Sequence, residues 1–154
     1  MLDNPQIIQA AETDIAIIHL TIPRSQMREV MGPGISELMA VVKTQGIGPT
    51  GAWFTHHLRF EPGTFDFEIC VPVNAPVVAT GRVRPGIWRA MKLARATLQG
   101  GYENLAAAWP ELDAWIKAGG HTPAVDLYEC YVAGPESSPD PKNWRTELSR
   151  PLID

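Results

Sequence analysis

An α+β fold, built from two copies of a strand–helix–strand–strand unit, is what this sequence of 154 residues predicts. Three observations point to it. Some segments carry apolar residues with period two and others carry them at helical spacing. The two kinds of segment follow the same order in each half of the chain. A pair of short motifs also occurs twice, at matching places in that order. Two such units give an antiparallel sheet with two helices packed on it.

Asp14 to Ile22, rich in Ile, reads as the first strand, stopped by Pro23. Pro33 suits the first turn of a helix whose stripe is Ile35, Leu38, Met39 and Val42, ended by Gly46 and Gly48. Ala52 to Phe60 and Phe65 to Val73 read as a hairpin around Glu61-Pro62-Gly63-Thr64. In its second strand Phe65, Phe67, Ile69, Val71 and Val73 alternate with Asp66, Glu68 and Cys70, so one face is buried.

The second half repeats this order. Val77 to Val83 and Ile87 to Leu98 read as strands around Arg84-Pro85-Gly86. After Gly100-Gly101 comes a helix with the stripe Tyr102, Leu105, Trp109, Leu112 and Ile116, ended by Gly119-Gly120. Pro110 lies inside it, and a kink or short break is expected there. Val125 to Val132 is a strand, a polar loop runs from Gly134 to Asn143, and Arg145 to Leu152 is the last strand. Gln45-Gly46-Ile47-Gly48-Pro49 precedes Trp53 as Gly119-Gly120-His121-Thr122-Pro123 precedes Leu127. Glu68 to Pro72 parallels Glu147 to Pro151, each reading Glu-x-x-x-Pro. One domain over 1–154 follows, with repeat one at about 7–73 and repeat two at about 77–152.

Composition bounds the function. Hydrophobic residues make up 45% and charged residues 19%, an ordinary globular balance. A net charge of −4 without a basic block argues against a nucleic-acid partner, whose phosphates call for clustered Lys and Arg. Cys70 and Cys130 lack CxxC spacing and read as reduced core thiols, so the cytoplasm is the expected compartment. No stretch is long enough to span a membrane, and the N-terminus lacks the regions of a signal peptide. No phosphate loop, metal-ligand spacing or Gly-x-Ser-x-Gly elbow occurs, so neither a cofactor nor a metal is expected.

Four segments carry a family resemblance. They are Gly101-Tyr102-Glu103-Asn104-Leu105, the run Asp113 to Gly120, Glu129-Cys130-Tyr131, and Thr146-Glu147-Leu148-Ser149-Arg150-Pro151-Leu152. In this order they resemble the GyrI-like family, the effector-binding domain of AraC-type and multidrug-responsive regulators. The first half matches more loosely. The resemblance implies a ligand pocket between the halves and binding of bulky aromatic, commonly cationic compounds. With the first strand read at Asp14, the chain resembles the stand-alone members rather than those fused to a DNA-binding module. One subfamily hydrolyses strained cyclopropane rings in alkylating natural products, so a hydrolase is the alternative; an inhibitor that docks on another protein is a third.

Glu129 is the leading site candidate. Strand alternation puts it on one face with Leu127 and Tyr131, and a carboxylate among rings is a receptor for an organic cation. The matching Glu has that role in the family. Glu147, also at a family position, is either a second pocket acid or the partner of a basic residue that fixes the sheet; for a hydrolase, Glu129 and Glu147 are the catalytic candidates. Tyr131 and Tyr102 match family positions, and Trp53 is the repeat counterpart of Leu127; these three are expected as pocket walls. Phe67, Trp88 and Trp144 are candidates by type alone, and Trp109 and Trp115 are expected in the core. His56 and His57 are adjacent on a strand and face opposite ways, so they form no simple chelate. His57 shares the face of Trp53 and Thr55 and is a candidate to orient a ligand or water.

Overall fold

The computed structural model describes residues 2–153, apart from the side chains of Arg28, Phe60 and Glu61. Eight strands and two long helices follow in the order β1 (Leu2–Ala10), β2 (Thr13–Pro23), α1 (Met27–Thr44), β3 (Phe54–Glu61), β4 (Thr64–Pro72), β5 (Arg84–Trp88), β6 (Met91–Gln99), α2 (Leu105–Ala118), β7 (Leu127–Ala133) and β8 (Arg145–Pro151). The fold is α+β, as the sequence predicts. The chain forms two compact units: one is Ala11–Ala90, the other Met1–Ala10 with Met91–Asp154.

Within residues 11–90 the strands lie in the order β5-β2-β4-β3, and every pairing is antiparallel. Ala16 and Ile18 of β2, and Phe67, Ile69 and Val71 of β4, pack with Leu38 and Val42 of α1. The helix lies close on the sheet at Gly34, where an added Cβ would come within 2.6 Å of Ile69 Cδ1. The other unit repeats the plan, with order β1-β6-β8-β7. There Ala94, Ala96 and Leu98 of β6 and Leu148 of β8 meet Ala108, Leu112 and Ile116 of α2. Each such Leu or Ile contributes about 1.5–3 kcal/mol by burial.

The duplicated run is therefore β2-α1-β3-β4 followed by β6-α2-β7-β8. Each set of strands also takes one from outside its run: β5 pairs with β2, and β1 pairs with β6. That places the unit boundaries at residues 10/11 and 90/91 rather than near residue 75, where the two sequence repeats meet.

Several elements differ from the expectation. β1 was not expected; it holds Pro5, and its register shifts between Asp3 and Gln6, with Asn4 at φ 55°. Pro removes a ladder hydrogen bond, and a bulge absorbs that loss. Val77 to Val83 forms no strand beyond a bridge between Thr80 and Val83. Arg84-Pro85-Gly86, expected as a turn, lies in β5 itself, an outer strand where Pro is tolerated. Gly86 suits this place, because an added Cβ would press on Ile15 and Ile17.

The first helix begins at Met27, so Pro33 is inside it rather than in its first turn. Met27, Val30 and Met31 pack against the core and extend the apolar stripe backwards, which compensates for one missing bond. α2 likewise runs through Pro110 without a break.

Candidate functional site

The register of β7 against β8 decides which way the candidate carboxylates face. Glu129 is directly opposite Leu148, and Tyr131 is opposite Thr146. Directly opposed residues share a face. Leu148 belongs to the core under α2, so Glu129 and Tyr131 project toward that helix.

Two neutral donors hold the Glu129 carboxylate there. Trp109 Nε1 donates to Oε2 at 2.7 Å, and the Tyr131 hydroxyl donates to Oε1 at 2.7 Å. Trp109, a candidate by type, was expected in the core. It does pack against the α2 core, but its indole N–H also needs a partner when half-buried, and Glu129 supplies one.

More rings extend from this pair. Tyr131 meets Tyr102 edge-on, with centroids 5.7 Å apart, and Tyr102 lies 5.0 Å from Trp144. Tyr102 sits on the short 3-10 turn Tyr102–Asn104 that leads into α2. Trp144 Nε1 donates to the Ser138 carbonyl at 2.8 Å, which fixes its ring under the β7–β8 connection. That connection needs Gly134: an added Cβ would lie 2.6 Å from the Tyr102 hydroxyl and 2.9 Å from Glu136 Oε2. The phenol of Tyr102 is held above its usual pKa, chiefly by burial and then by the charges of Glu136 and Glu129.

Glu147 faces the other way. It is paired with Thr97 and Cys130, on the sheet face opposite to Leu148. Its Oε1 lies 3.5 Å from Arg95 Nε, which also donates to Ser149 Oγ at 3.0 Å. Glu129 and Glu147 therefore form no carboxylate pair within this unit. Of the two readings for Glu147, the partner of a basic residue is the one the geometry describes. Its repeat counterpart Glu68 behaves alike, with His56 Nδ1 at 3.1 Å from Oε1.

Trp53 and His57 belong to residues 11–90. Thr55 is opposite Ile69, and His57 is opposite Phe67, so both face α1. His57 is 5% exposed and Thr55 fully buried, and Thr55 Oγ1 and His57 Nε2 share a hydrogen bond of 3.1 Å. The imidazole stacks on Phe67 at 5.5 Å and meets Phe65 edge-on at 5.7 Å. Trp53 precedes β3 and packs, half-buried, on the α1 core. Trp88 meets Phe54 at 4.9 Å. Trp115, expected in the core, is 38% exposed on α2; its neighbours Leu112 and Ile116 take the buried stripe.

Elsewhere in residues 11–90, Asp66 collects three partners. His19 Nε2 is 2.6 Å from Oδ1, Thr21 Oγ1 donates to Oδ1 at 3.2 Å, and Arg59 Nε donates to Oδ2 at 2.8 Å. The His19 bond, more than any other contact, holds the Asp66 carboxyl below the usual carboxylate range.

Both cysteines are free thiols. Burial pushes Cys70 well up, helped by Glu68, and pushes Cys130 up to about 11, helped by Glu147. Such thiols are poor nucleophiles at neutral pH. Among the described residues, no group of three or more His, Cys, Asp or Glu is placed to hold a metal ion, and no helix is long and apolar enough to cross a membrane.

Sequence reasoning missed Trp109, Trp144 and Glu136 as neighbours of Glu129 and Tyr102. The only sequence signal for the two tryptophans was the chemistry of indole, which when buried seeks an acceptor; Glu136 had none.

Solved structures share this fold. The EcmrR C-terminal domain is 21% identical with a TM-score of 0.87, covering 100% of this chain and 99% of that one. The chain spans 57% of the EcmrR chain in a complex with DNA. SAV2435 bound to tetraphenylphosphonium is 14% identical, TM-score 0.68, with coverage of 98% and 94%. A hydrolase encoded by lin2189 from Listeria innocua is 12% identical, TM-score 0.74, with coverage of 97% and 91%. No curated protein matches. Residues 3–153 match the family described as the GyrI-like small molecule binding domain, and to that family the chain belongs.

Proposed function

We infer that this protein binds hydrophobic, often cationic aromatic molecules or xenobiotics at an aromatic site that carries an acid. The observation that supports this most is the Glu129 carboxylate, held by Trp109 and Tyr131 with Tyr102 and Trp144 alongside. Both of these donors are neutral groups that orient the carboxylate. An organic cation gains Coulomb attraction from Glu129 and cation–π attraction from the rings. The tetraphenylphosphonium held by SAV2435 is a ligand of this kind on the same fold.

In this reading Glu129, Tyr131 and Tyr102 touch the ligand. Glu147 is proposed as a more distant acid. The whole chain acts as one domain in the cytoplasm, with a small molecule rather than nucleic acid or membrane as its partner. The net charge of −4 fits that choice.

A second reading is a hydrolase in which Glu129 or Glu147 positions water against a strained electrophile. The Listeria innocua hydrolase of this fold favours it. Turnover of a cyclopropane-bearing substrate separates it from simple binding.

The deciding titration compares a rhodamine-type cation with a neutral aromatic analogue, on wild type and Glu129→Gln. Saturable cation binding that falls in the variant is expected. Equal binding by both proteins removes Glu129 from the site.

A further inference from the structure

We propose that the hydroxyl of Thr146 is a hydrogen-bond donor to the bound molecule, so that the site selects aromatic compounds with an oxygen or nitrogen acceptor on the frame over isosteres without one. This rests on the small-molecule reading above and names a specificity-determining residue within it.

The starting point is a difference between the two copies. Glu68 of β4 and Glu147 of β8 are repeat counterparts, so the residues before them, Phe67 and Thr146, match as well. Phe67 is opposite His57 and stacks on it at 5.5 Å, whereas Thr146 is opposite Tyr131. A small alcohol therefore stands where the other copy is filled by a ring.

The alcohol does nothing for the fold that valine would not do. Thr146 is 0% exposed, and its Oγ1 has no hydrogen-bond partner among the described residues. An unmet buried hydroxyl is destabilising, and valine has the same shape without that cost. On this face Thr146 stands between Leu98 of β6 and Tyr131 of β7. Leu98 is core, but Tyr131 belongs to the Glu129 site, so the hydroxyl borders that site.

Other donors there are engaged. The one hydrogen of the Trp109 indole goes to Glu129 Oε2, and that of the Tyr131 phenol goes to Glu129 Oε1. The Trp144 indole donates to the Ser138 carbonyl. The Thr146 hydrogen has no such acceptor within the protein, and a ketone, ether or ring nitrogen on a ligand supplies one. Because Thr146 is sealed in this structure, ligand entry includes displacement of a neighbouring side chain. Tyr102, edge-on to Tyr131, is placed for that: it sits on a short 3-10 turn that follows Gly100, at φ 126°.

The test uses a pair of compounds that differ by one acceptor. One is a benzoylbenzyl trimethylammonium and the other its benzylbenzyl analogue, with a methylene in place of the ketone, each as the ortho, meta and para isomers. Dissociation constants come from calorimetry near neutral pH, on wild type, Thr146→Val and Thr146→Ser, with melting curves to show that each is folded. Wild type is expected to bind the ketone about fivefold more tightly than the methylene compound for at least one isomer. In Thr146→Val the ketone is expected to fall to the level of the methylene compound, and Thr146→Ser is expected to keep the preference. Wild-type binding without a preference for any ketone isomer overturns the proposal and leaves the small-molecule reading standing. So does a preference that persists in Thr146→Val, or an equal weakening of both compounds there, which marks a packing role. Loss of the preference in Thr146→Ser as well as Thr146→Val assigns it to the methyl group and also overturns the proposal. Failure of folded wild type to bind any of these compounds sinks the underlying reading and the proposal together.

Discussion

β3 and β7 occupy the same place in their two units and carry different chemistry. In both, two residues spaced i, i+2 face the helix and bond to each other. Thr55 and His57 stand against Ile69 and Phe67; Glu129 and Tyr131 stand against Leu148 and Thr146. One pair is an alcohol and an imidazole sealed among phenylalanines. The other is an acid and a phenol joined by an indole. The scaffold repeats and the chemistry does not: the position on the sheet is general, while a carboxylate stands there in one copy only.

The first way to break this comparison is to ask whether the two cores are equivalent. Leu38→Ala under α1 and Leu112→Ala under α2 each delete a fully buried side chain. Each is expected to cost about 2–5 kcal/mol in urea unfolding, because the cavity adds to the lost burial. A cost below about 1 kcal/mol at either place would show that its helix is not a full partner in its core.

The next concerns charge. Glu129→Gln is expected to weaken binding of a rhodamine-type cation roughly thirtyfold, about 2 kcal/mol. Thr55→Val at the matching place in the other copy is expected to change it less than about threefold. Equal losses in a fluorescence titration would mean that the two places act alike, against the comparison.

A third test uses the acid range, where residues 11–90 carry Asp66. Its folded pKa is depressed, so its contribution is fully present above the ordinary carboxylate range and is lost as pH falls through the folded value. Stability measured below about pH 4 should therefore fall more steeply in wild type than in Asp66→Asn. Parallel curves would show that the His19 and Arg59 contacts carry no net stability.

The smallest effect is expected at Thr146. Its residue is 0% exposed, and its hydroxyl has no hydrogen-bond partner among the described residues. Thr146→Val keeps the shape and removes the unmet group, so the melting temperature should hold or rise by a few degrees. A clear fall would reveal a partner for the hydroxyl in solution.

Much of this was legible in the sequence because of periodicity. Phe67, Ile69 and Val71 alternate and are buried together, and Glu-x-x-x-Pro marked β4 and β8 as counterparts. Tyr131 and Glu129 follow from the same alternation. β5 was lost because Arg84-Pro85-Gly86 read as a turn, and β1, which holds Pro5, was not expected; only pairing to an outer place in a sheet makes the two prolines tolerable. The opposite facing of Glu129 and Glu147 depends on the register between two strands, which no single strand encodes. Trp109 joins Glu129 across twenty residues, through the packing of α2 on its sheet.

β1 has a consequence for how the chain comes to be. Its partner β6 follows about eighty residues later in the chain. At the pace of synthesis that gap is on the order of ten seconds. In that interval residues 11–90 already possess every strand and the helix of their own unit. β1 has no partner strand of its own unit until β6 is made. Its Asn4, Pro5 and bulge, poor features for a strand, also make it a poor template for sticking to other nascent chains while it waits.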